Sequence, residues 1–303
     1  MKEKIIGSIV GFAIGDAIGM PLEFDERCDP IRQFEPNAKK GLRAGRYTDN
    51  TQHLEIAIDS FVLNQGKINL DDISKRLINW YTSKQASSIG RTTELAIHNL
   101  LSGLPPTESG IYNYEACGSS GLVRILPYSL ISAMRPYEAK ITNGDTRRIL
   151  GITHPHKAVY RMGLLLNYLI QEIMHGKSAK ETIDMIVFEA SFLDKRVRDK
   201  LKQTTELAET DKPTFSSIEE IGNDGYVESV MFSALYAVQK HDDFEEAVLC
   251  AANGRGDSYS RAAFTGALMG LRNGIGGIPP EWISGLERVS VLIEKAGKLY
   301  SFK

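Results

Sequence analysis

The sequence predicts an all-α protein. Apolar residues recur with a helical period through most of the 303 residues, whereas the alternation typical of strands is scarce. One clear stripe runs from Leu54 to Val62 along a single helical face. No stretch is long or polar enough to act as a linker, and no internal repeat is evident. We therefore expect about a dozen helices in a single compact domain over residues 1–303.

The first predicted element is an apolar run over residues 5–15, behind a short charged start. Such a run superficially resembles a signal peptide. However, Asp16 and Glu23 follow at once, no cleavage pattern of small residues is present, and the run is too short to span a bilayer. We expect a buried first helix and no membrane segment.

Similar apolar stripes predict the later helices. They lie at Leu70–Trp80, Ala158–Ile173, Ile183–Phe192, Tyr226–Val238, Phe244–Ala252 and Ile283–Leu299. The pairs Pro105-Pro106, Asn143-Gly144 and Pro279-Pro280 and the triplet Asn223-Asp224-Gly225 are expected to end helices between these stripes.

Small residues recur at a spacing of four. They are Gly7, Gly11, Gly15 and Gly19 near the start of the chain, and Ala262, Gly266 and Gly270 near its end. This spacing places small residues on one helical face, so a neighbouring backbone can approach closely. We interpret both sets as positions of tight core packing.

Composition excludes several classes of function. The 36 basic and 38 acidic residues give a net charge of −2, with no sign of the broad positive surface that nucleic acids or anionic membranes require. Cys28, Cys117 and Cys250 are widely spaced and form no CxxC pair, which argues against a disulfide framework or a structural zinc site. We expect a cytoplasmic protein.

Two distant segments carry short oxygen-bearing side chains at predicted helix starts. One contains Thr48, Asp49 and Asn50, and the other contains Asp257 and Ser260. Either segment alone is explained by helix capping, because a hydroxyl or carboxylate there accepts a hydrogen bond from an unpaired backbone N–H group. Their combination with further segments points to a site.

Taken in order, these segments resemble the ADP-ribosylglycohydrolase family. The segments are Gly15–Phe24, Tyr47–Gln52, Gly90–Thr93, Val123–Pro127, Thr153–Pro155, Gly254–Ala263, Gly266–Leu268 and Ile278–Trp282. They cover most of the chain, roughly from residue 5 to residue 285. The resemblance implies an all-helical domain with a cleft that holds two Mg²⁺ ions, in which ADP-ribose is cut from a modified side chain or a small acceptor.

The resemblance also implies site residues. Members usually have Thr-Asp-Asp-Thr in the first metal segment and Gly-Asp-x-Asp-Thr or Gly-Asp-x-Asp-Ser in the second. Thr48, Asp49, Asp257 and Ser260 match the metal-binding pattern, and Glu23 matches an acid near the first helix that serves the site in some branches. Asn50 and Tyr259 depart from the pattern.

These two departures remove negative charge. Two Mg²⁺ ions about 4 Å apart repel each other by roughly 17 kcal/mol at an effective dielectric constant of about 20, and carboxylates normally offset this repulsion. Asn50 offers only a neutral carbonyl oxygen, and Tyr259 is bulky and stays protonated up to about pH 10. We expect one Mg²⁺ ion rather than two, with Thr48, Asp49, Asn50, Asp257 and Ser260 as its ligands. Complete loss of the metal is the alternative.

Substrate contacts are implied at a second group of residues. Gly90, Ser119, Ser120 and Gly121 are small residues in segments where the family binds phosphate, and exposed amides there can cradle a diphosphate. His154 matches a family histidine near the distal ribose and the phosphates. The alternatives are a flexible loop for Ser119–Gly121 and a packed helix-entry histidine at position 154.

The predicted activity is hydrolysis of the glycosidic bond between ADP-ribose and an acceptor. Asp49 is the first choice for the base that takes the proton of water, followed by Glu23 and then Asp257. The alternative is a catalytically silent relative that binds ADP-ribose, a nucleotide or a protein partner without turnover.

Overall fold

The computed structural model describes residues 1–25, 29–84, 86, 88–136, 138–189 and 193–303. Within these ranges the regular structure is helical, without strands and with one isolated bridge between Asn37 and Leu42. The all-α prediction is therefore confirmed. Cys28 and the predicted helical residues 190–192 lie outside the described residues.

The described helices outnumber the dozen expected. They are α1 Lys2–Gly19, α2 Asp49–Leu63, α3 Leu70–Thr82, α4 Arg91–Leu101, α5 Ser120–Val123, α6 Ile125–Ser132, α7 Ala139–Gly151, α8 Lys157–Met174, α9 Ala179–Glu189, α10 Lys195–Ala208, α11 Thr214–Ile221, α12 Val227–Lys240, α13 Phe244–Ala252, α14 Ser258–Asn273, α15 Pro280–Gly285 and α16 Val289–Leu299. Short 3₁₀ helices follow α1 at Met20–Leu22 and stand alone at Ala38–Lys40.

The chain divides into two compact units. Unit 1 consists of residues 1–47 and 172–293, and unit 2 consists of residues 48–171 and 294–303. The single-domain organisation over residues 1–303 stays a prediction.

The core of unit 1 is built on the contact between α1 and α14. A Cβ atom added to Gly11 would lie 2.2 Å from the carbonyl oxygen of Gly266, and one added to Gly7 would lie 2.3 Å from that of Gly270. Gly15 meets Ala262 in the same way, at 2.0 Å. The two backbones are thus in direct contact along the small faces, as the four-residue spacing predicted.

Helix α1 is apolar on all sides. By length and composition, the stretch Lys2–Leu22 would suffice to cross a membrane: it contains an 18-residue window with a mean hydropathy of 1.7, yet that window is entirely buried. A helix without a polar face needs neighbours on every side. The prediction of a buried first helix is confirmed, and the cytoplasmic location stays a prediction.

Unit 2 has its own apolar cluster. Helix α3 contributes Ile73, Leu77 and Trp80, α4 contributes Ile97 and Leu100, and Ile152 follows α7. The cluster packs α3, α4 and the residue that follows α7 against one another.

Two boundary predictions were wrong. Asn143-Gly144 lies inside α7, where a helical glycine costs only about 1 kcal/mol and is outweighed by the rest of the helix. The stripe 283–299 is two helices, α15 and α16, because Leu286 is extended and Arg288 has a left-handed φ of 55°. The spacing of apolar residues does not reveal such a break when the same helical period continues on both sides of it.

Candidate functional site

Asp257 caps helix α14 in unit 1. Its carboxylate accepts a hydrogen bond from the backbone N–H of Ser260 at 3.3 Å, and its own N–H donates to the carbonyl of Asn223 at 2.8 Å. Gly256 precedes it with a φ of 65°, and a Cβ atom there would lie 1.8 Å from that Asn223 oxygen. Only glycine fits at position 256, and this turn sets the direction of the Asp257 side chain.

Backbone bonds bring Glu23 to the same place. The N–H of Phe24 donates to the carbonyl of Gly256 at 2.9 Å, and the Ser258 hydroxyl donates to the carbonyl of Gly19 at 2.8 Å. The end of α1 therefore lies against the start of α14. Glu23 and Asp257, two of the three acids that the sequence offered as candidate bases, thus lie near each other and form an acid pair in unit 1. Their catalytic role stays a prediction.

The Asp257 carboxyl group is electrostatically perturbed. Burial is the main cause that raises the pKa of Asp257 to about 6; the Ser260 hydrogen bonds and the Arg261 charge oppose it, and the negative charge of Glu23 adds a smaller upward effect. Asp257 is only 6% exposed. A carboxyl group with a pKa in this range can both accept and release a proton near neutral pH, as a general acid or base requires.

Lys40 also belongs to this part of the site, although no local pattern in the sequence indicated it. Its ammonium group forms an ion pair with the Glu23 carboxylate. The same group lies 5.2 Å from the centre of the Tyr259 ring, in a cation–π geometry. Glu23 thus has a protein cation beside it.

Thr48, Asp49 and Asn50 form the start of α2 in unit 2. The Thr48 hydroxyl accepts from the N–H of Asn50 at 3.2 Å, so the capping role considered for this residue is real. All three side chains are buried, and the Ser88 hydroxyl donates to the Asp49 carboxylate at 2.5 Å. Ser88 was not predicted, because it lies in an irregular segment without a recognisable pattern.

His154 is held by a chain of hydrogen bonds in unit 2. The Arg124 guanidinium donates to the Thr153 hydroxyl oxygen, and that oxygen lies 2.7 Å from Nδ1 of His154. A guanidinium group can only donate, and among the described residues the Thr153 hydroxyl has no hydrogen-bond acceptor other than His154. The hydroxyl therefore donates to Nδ1, which places the ring proton of His154 on Nε2.

His154 stays neutral. Burial lowers its pKa to about 3, and the nearby Arg124 charge adds to the effect. Arg124 is itself fully buried, and its Nε and Nη1 atoms have no hydrogen-bond partner in the described structure. His53 lies close enough to these charges for its pKa to be lowered well below the ordinary value, first by burial, then by Arg124 and His154.

The predicted ligand-binding residues lie around His154. A Cβ atom on Gly118 would be 3.7 Å from Nε2, and one on Gly121 would be 3.0 Å from Cβ of His154. A Cβ atom on Gly90 would be 3.7 Å from the Ser120 hydroxyl oxygen. Ser119 precedes α5 and is buried, and Ser120 and Gly121 open this short helix. Small residues thus let the backbone at Gly118 and Gly121 lie close to the His154 side chain.

A cavity of about 860 Å³ lies next to this segment in unit 2. Its lining includes Pro155 and His156, which directly follow His154, and the aromatic residues Tyr114 and Tyr160. The Arg147 guanidinium stacks on the Tyr160 ring at 4.4 Å. Aromatic faces and guanidinium groups together suit a ligand that combines a planar base with phosphate. The sequence did not indicate this cavity.

The metal donors fall into two sets. Among the described residues of each unit, no three histidine, cysteine or acidic side chains gather as a metal-binding group. Unit 1 supplies Asp257 and Ser260, and unit 2 supplies Thr48, Asp49 and Asn50. These hard oxygen donors fit Mg²⁺ by chemical type. That both sets bind one ion stays a prediction.

The chain is similar to known proteins over nearly its whole length. The family model for ADP-ribosylglycohydrolase matches residues 1–302. An ADP-ribosylarginine hydrolase, Tri1 of Serratia proteamaculans, is 28% identical over 97% of this chain and 78% of its own length. The ADP-ribosyl-dinitrogen reductase glycohydrolase of Rhodospirillum rubrum is 23% identical, over 95% of this chain and 91% of its own. A solved structure described as an ADP-ribosylglycohydrolase-related protein complex superposes with a TM-score of 0.80 at 23% identity, covering 99% of this chain and 97% of that chain.

Proposed function

Because the chain belongs to the ADP-ribosylglycohydrolase family, we propose that it hydrolyses the glycosidic bond between ADP-ribose and a modified side chain. The names of two relatives state what each acts on, ADP-ribosylarginine for one and ADP-ribosyl-dinitrogen reductase for the other. An ADP-ribosylated arginine is therefore the first substrate to test. The bond broken joins the anomeric carbon of the distal ribose to a guanidinium nitrogen.

The observation that carries this proposal is the acid pair in unit 1, in which Asp257 is buried. Asp257 has a pKa of about 6 and can take a proton from water as the water oxygen attacks the anomeric carbon. The water hydroxyl then stays on ADP-ribose, and the proton goes on to the departing nitrogen. Asp49, the first choice from the sequence, accepts a hydrogen bond from Ser88 and remains a second candidate base.

Unit 2 supplies ligand binding in this proposal. His154 donates from Nε2 to a ribose or phosphate oxygen, and the backbone around Gly118 and Gly121 accommodates the diphosphate. The neutral state of His154 lets it act as a donor of constant charge. The cavity lined by Tyr114, Arg147 and Tyr160 provides room for the rest of the nucleotide.

A bound Mg²⁺ ion would orient the ribose hydroxyls and polarise a water molecule. The proposed donors are Asp257 and Ser260 in unit 1 and Thr48, Asp49 and Asn50 in unit 2. We propose one ion rather than two, because Asn50 and Tyr259 bring no carboxylate.

A catalytically silent ADP-ribose-binding protein is the second candidate function. The observation that favours it is the ion pair between Glu23 and Lys40, which leaves one of the two acids in unit 1 bound to a cation. In that case the cleft would bind ADP-ribose without turnover.

One assay separates these candidates. The purified protein is incubated with an ADP-ribosylated arginine peptide and Mg²⁺, and released ADP-ribose is measured by chromatography. We expect release by the parent chain and a loss of at least a hundredfold in Asp257→Asn. Asp242→Asn, a change at a fully exposed acid, is the control and should keep full activity.

Calorimetric titration with ADP-ribose completes the test. Binding without release supports the silent relative. A folded protein that shows neither binding nor release would contradict both candidates.

A further inference from the structure

We propose that Lys40 is the resident cation of the acid pair in unit 1 and competes with a divalent ion for Glu23. This inference deepens the proposed function and rests on it for the catalytic use of the pair. Its physical basis is the placement of one ammonium group between a carboxylate and an aromatic ring.

The position of Lys40 is set by the backbone. The side chain of Asn37 donates from Nδ2 to the carbonyl of Met20 at 3.1 Å, and its Oδ1 accepts from the N–H of Lys40 at 3.0 Å. The bridge between Asn37 and Leu42 and the left-handed Gly41 close the turn. One buried amide thus anchors the turn of Lys40 to the end of α1, three residues before Glu23.

The ion pair is largely withdrawn from solvent. The side chains of Lys40 and Glu23 are 22% and 16% exposed. A charge pair in such a position is screened less by salt than a surface pair, and each partner depends on the other for compensation. Lys40 therefore supplies a positive charge at a point where Glu23 and the neighbouring Asp257 would otherwise combine two negative charges.

Tyr259 completes the arrangement. Its ring face attracts the ammonium group of Lys40 at 5.2 Å, and the contact brings no negative charge of its own. In the pattern that this segment resembles, an acid stands at position 259. Here an aromatic ring replaces that acid, and a lysine lies beside the ring. The two differences fit together, because the positive charge that an acid would attract from a metal ion is supplied by the protein itself.

A divalent ion at this acid pair would meet two obstacles. It would be repelled by the Lys40 ammonium, and it would have to displace that group to reach the Glu23 carboxylate. We therefore expect Lys40 to weaken the binding of Mg²⁺, and we expect its removal to strengthen it.

The neighbouring residue provides a matched control. Lys39 is 80% exposed and pairs with Asp25 at 3.2 Å on the surface, so it is adjacent in sequence and carries the same charge but lies outside the acid pair. Lys39→Gln and Lys40→Gln change the net charge equally. Only the second removes a charge from the acid pair.

The experiment is a titration of each purified protein with MgCl₂ by calorimetry at low ionic strength, repeated with Mn²⁺ by electron paramagnetic resonance. We expect Lys40→Gln to bind the ion about tenfold more tightly than the parent chain, from the loss of one nearby unit charge. Lys39→Gln should bind as the parent does, and Lys40→Arg, which retains the charge, should also behave like the parent.

Two further points keep the test decisive. If Lys40→Gln does not fold, Lys40→Met keeps the aliphatic stem against Tyr259 and carries the same expectation. Ion binding by the neutral variant that is no tighter than that of the parent, including no measurable binding in any variant, overturns the inference. Titration needs no turnover, so an inactive parent chain would contradict the hydrolase and leave the role of Lys40 standing.

Discussion

The N–H group of Phe24 donates to the carbonyl of Gly256 over 2.9 Å, and this one backbone bond joins the turn after α1 to the turn before α14. It places Glu23 beside Asp257 although the two residues are far apart in sequence. The register of the acid pair is therefore held by main-chain atoms. Substitutions of the acids should leave their positions unchanged, whereas a change in either turn should move both.

Gly256→Ala is expected to destabilise the protein strongly. The φ of 65° disfavours alanine, and the added Cβ atom would lie 1.8 Å from the carbonyl oxygen of Asn223. The backbone must shift, so we expect a loss of about 3 kcal/mol or more in the free energy of unfolding. Urea denaturation followed by circular dichroism measures it.

Gly41→Ala is the control for conformation alone. Gly41 has the same φ of 65°, but no atom lies within 4 Å of the added Cβ position. Its loss should be only about 1 kcal/mol. Equal losses in the two variants would mean that the contact with Asn223 adds nothing.

The sequence predicted the helices where the apolar period is long. Helix α13 begins and ends at the predicted residues, and the small faces of α1 and α14 meet as their spacing indicated. The errors came from single residues. Gly144 was given too much weight as a helix breaker, and Arg288 was given none, since an arginine with a left-handed φ leaves no trace in a periodicity.

The helix starts of the candidate site were predictable from the sequence, whereas its role as a site stays a prediction. Thr48 and Asp257 occupy cap positions, and such positions have a recognisable composition. Lys40 and Ser88 were missed for a physical reason. Each is placed by contacts between distant segments, as in the link from Asn37 to Met20, and no local pattern encodes such a contact.

Asp257→Asn is expected to stabilise the fold while it abolishes the proposed activity. Burial holds the pKa of this carboxyl at about 6, so between its ordinary value of 3.8 and 6 the folded state binds more protons than the unfolded state. Stability is therefore lost as pH rises through this window. The neutral amide avoids that cost, and we expect a gain of about 1–2 kcal/mol at pH 7.5 in metal-free buffer. Thermal denaturation at pH 4 and pH 7.5 is the measurement, and a gain of equal size at both values would contradict the explanation.

Thr153→Val should allow His154 to adopt both neutral tautomers. The hydroxyl that donates to Nδ1 is lost, so the ring proton is no longer confined to Nε2. Long-range proton–nitrogen correlation spectra of histidine-labelled protein report the protonated nitrogen directly, with His154→Gln to assign the signal. We expect Nε2–H in the parent chain and in Thr153→Ser, and a mixture in Thr153→Val. A parent spectrum with the proton on Nδ1 would exclude the arrangement.

Weaker ligand binding should accompany the mixed tautomer. We expect Thr153→Val to bind ADP-ribose about tenfold less tightly, because part of the population lacks the Nε2–H donor, while Thr153→Ser binds as the parent does.

His154 should make the protein sensitive to mild acid. Its pKa is about 3 in the folded state, against an ordinary value of 6.5. As the pH falls from 6.5 toward 3, the unfolded chain therefore binds a proton at His154 that the folded chain does not bind. Stability is present above pH 6.5 and is lost below it, by about 2 kcal/mol at pH 5. Urea denaturation at pH 7.5 and pH 5 should show a smaller loss in His154→Gln by that amount. His241→Gln, a change at a partly exposed histidine near the surface, should keep the full loss.

Gly11→Ala tests the contact between α1 and α14. A methyl group at this position would lie 2.2 Å from the carbonyl oxygen of Gly266, and α1 cannot shift without moving a helix that is buried from Ile5 to Gly19. Overpacking of this kind outweighs the better helix propensity of alanine, and we expect a loss of about 3 kcal/mol or more in the free energy of unfolding.

Gly144→Ala in α7 is the matched change, because it also lies inside a helix but has no atom within 4 Å of the added group. There propensity acts alone, so a gain of about 0.5–1 kcal/mol is expected. Opposite signs in the two variants, measured by the same urea titration, would establish that glycine at position 11 is required by the neighbouring helix.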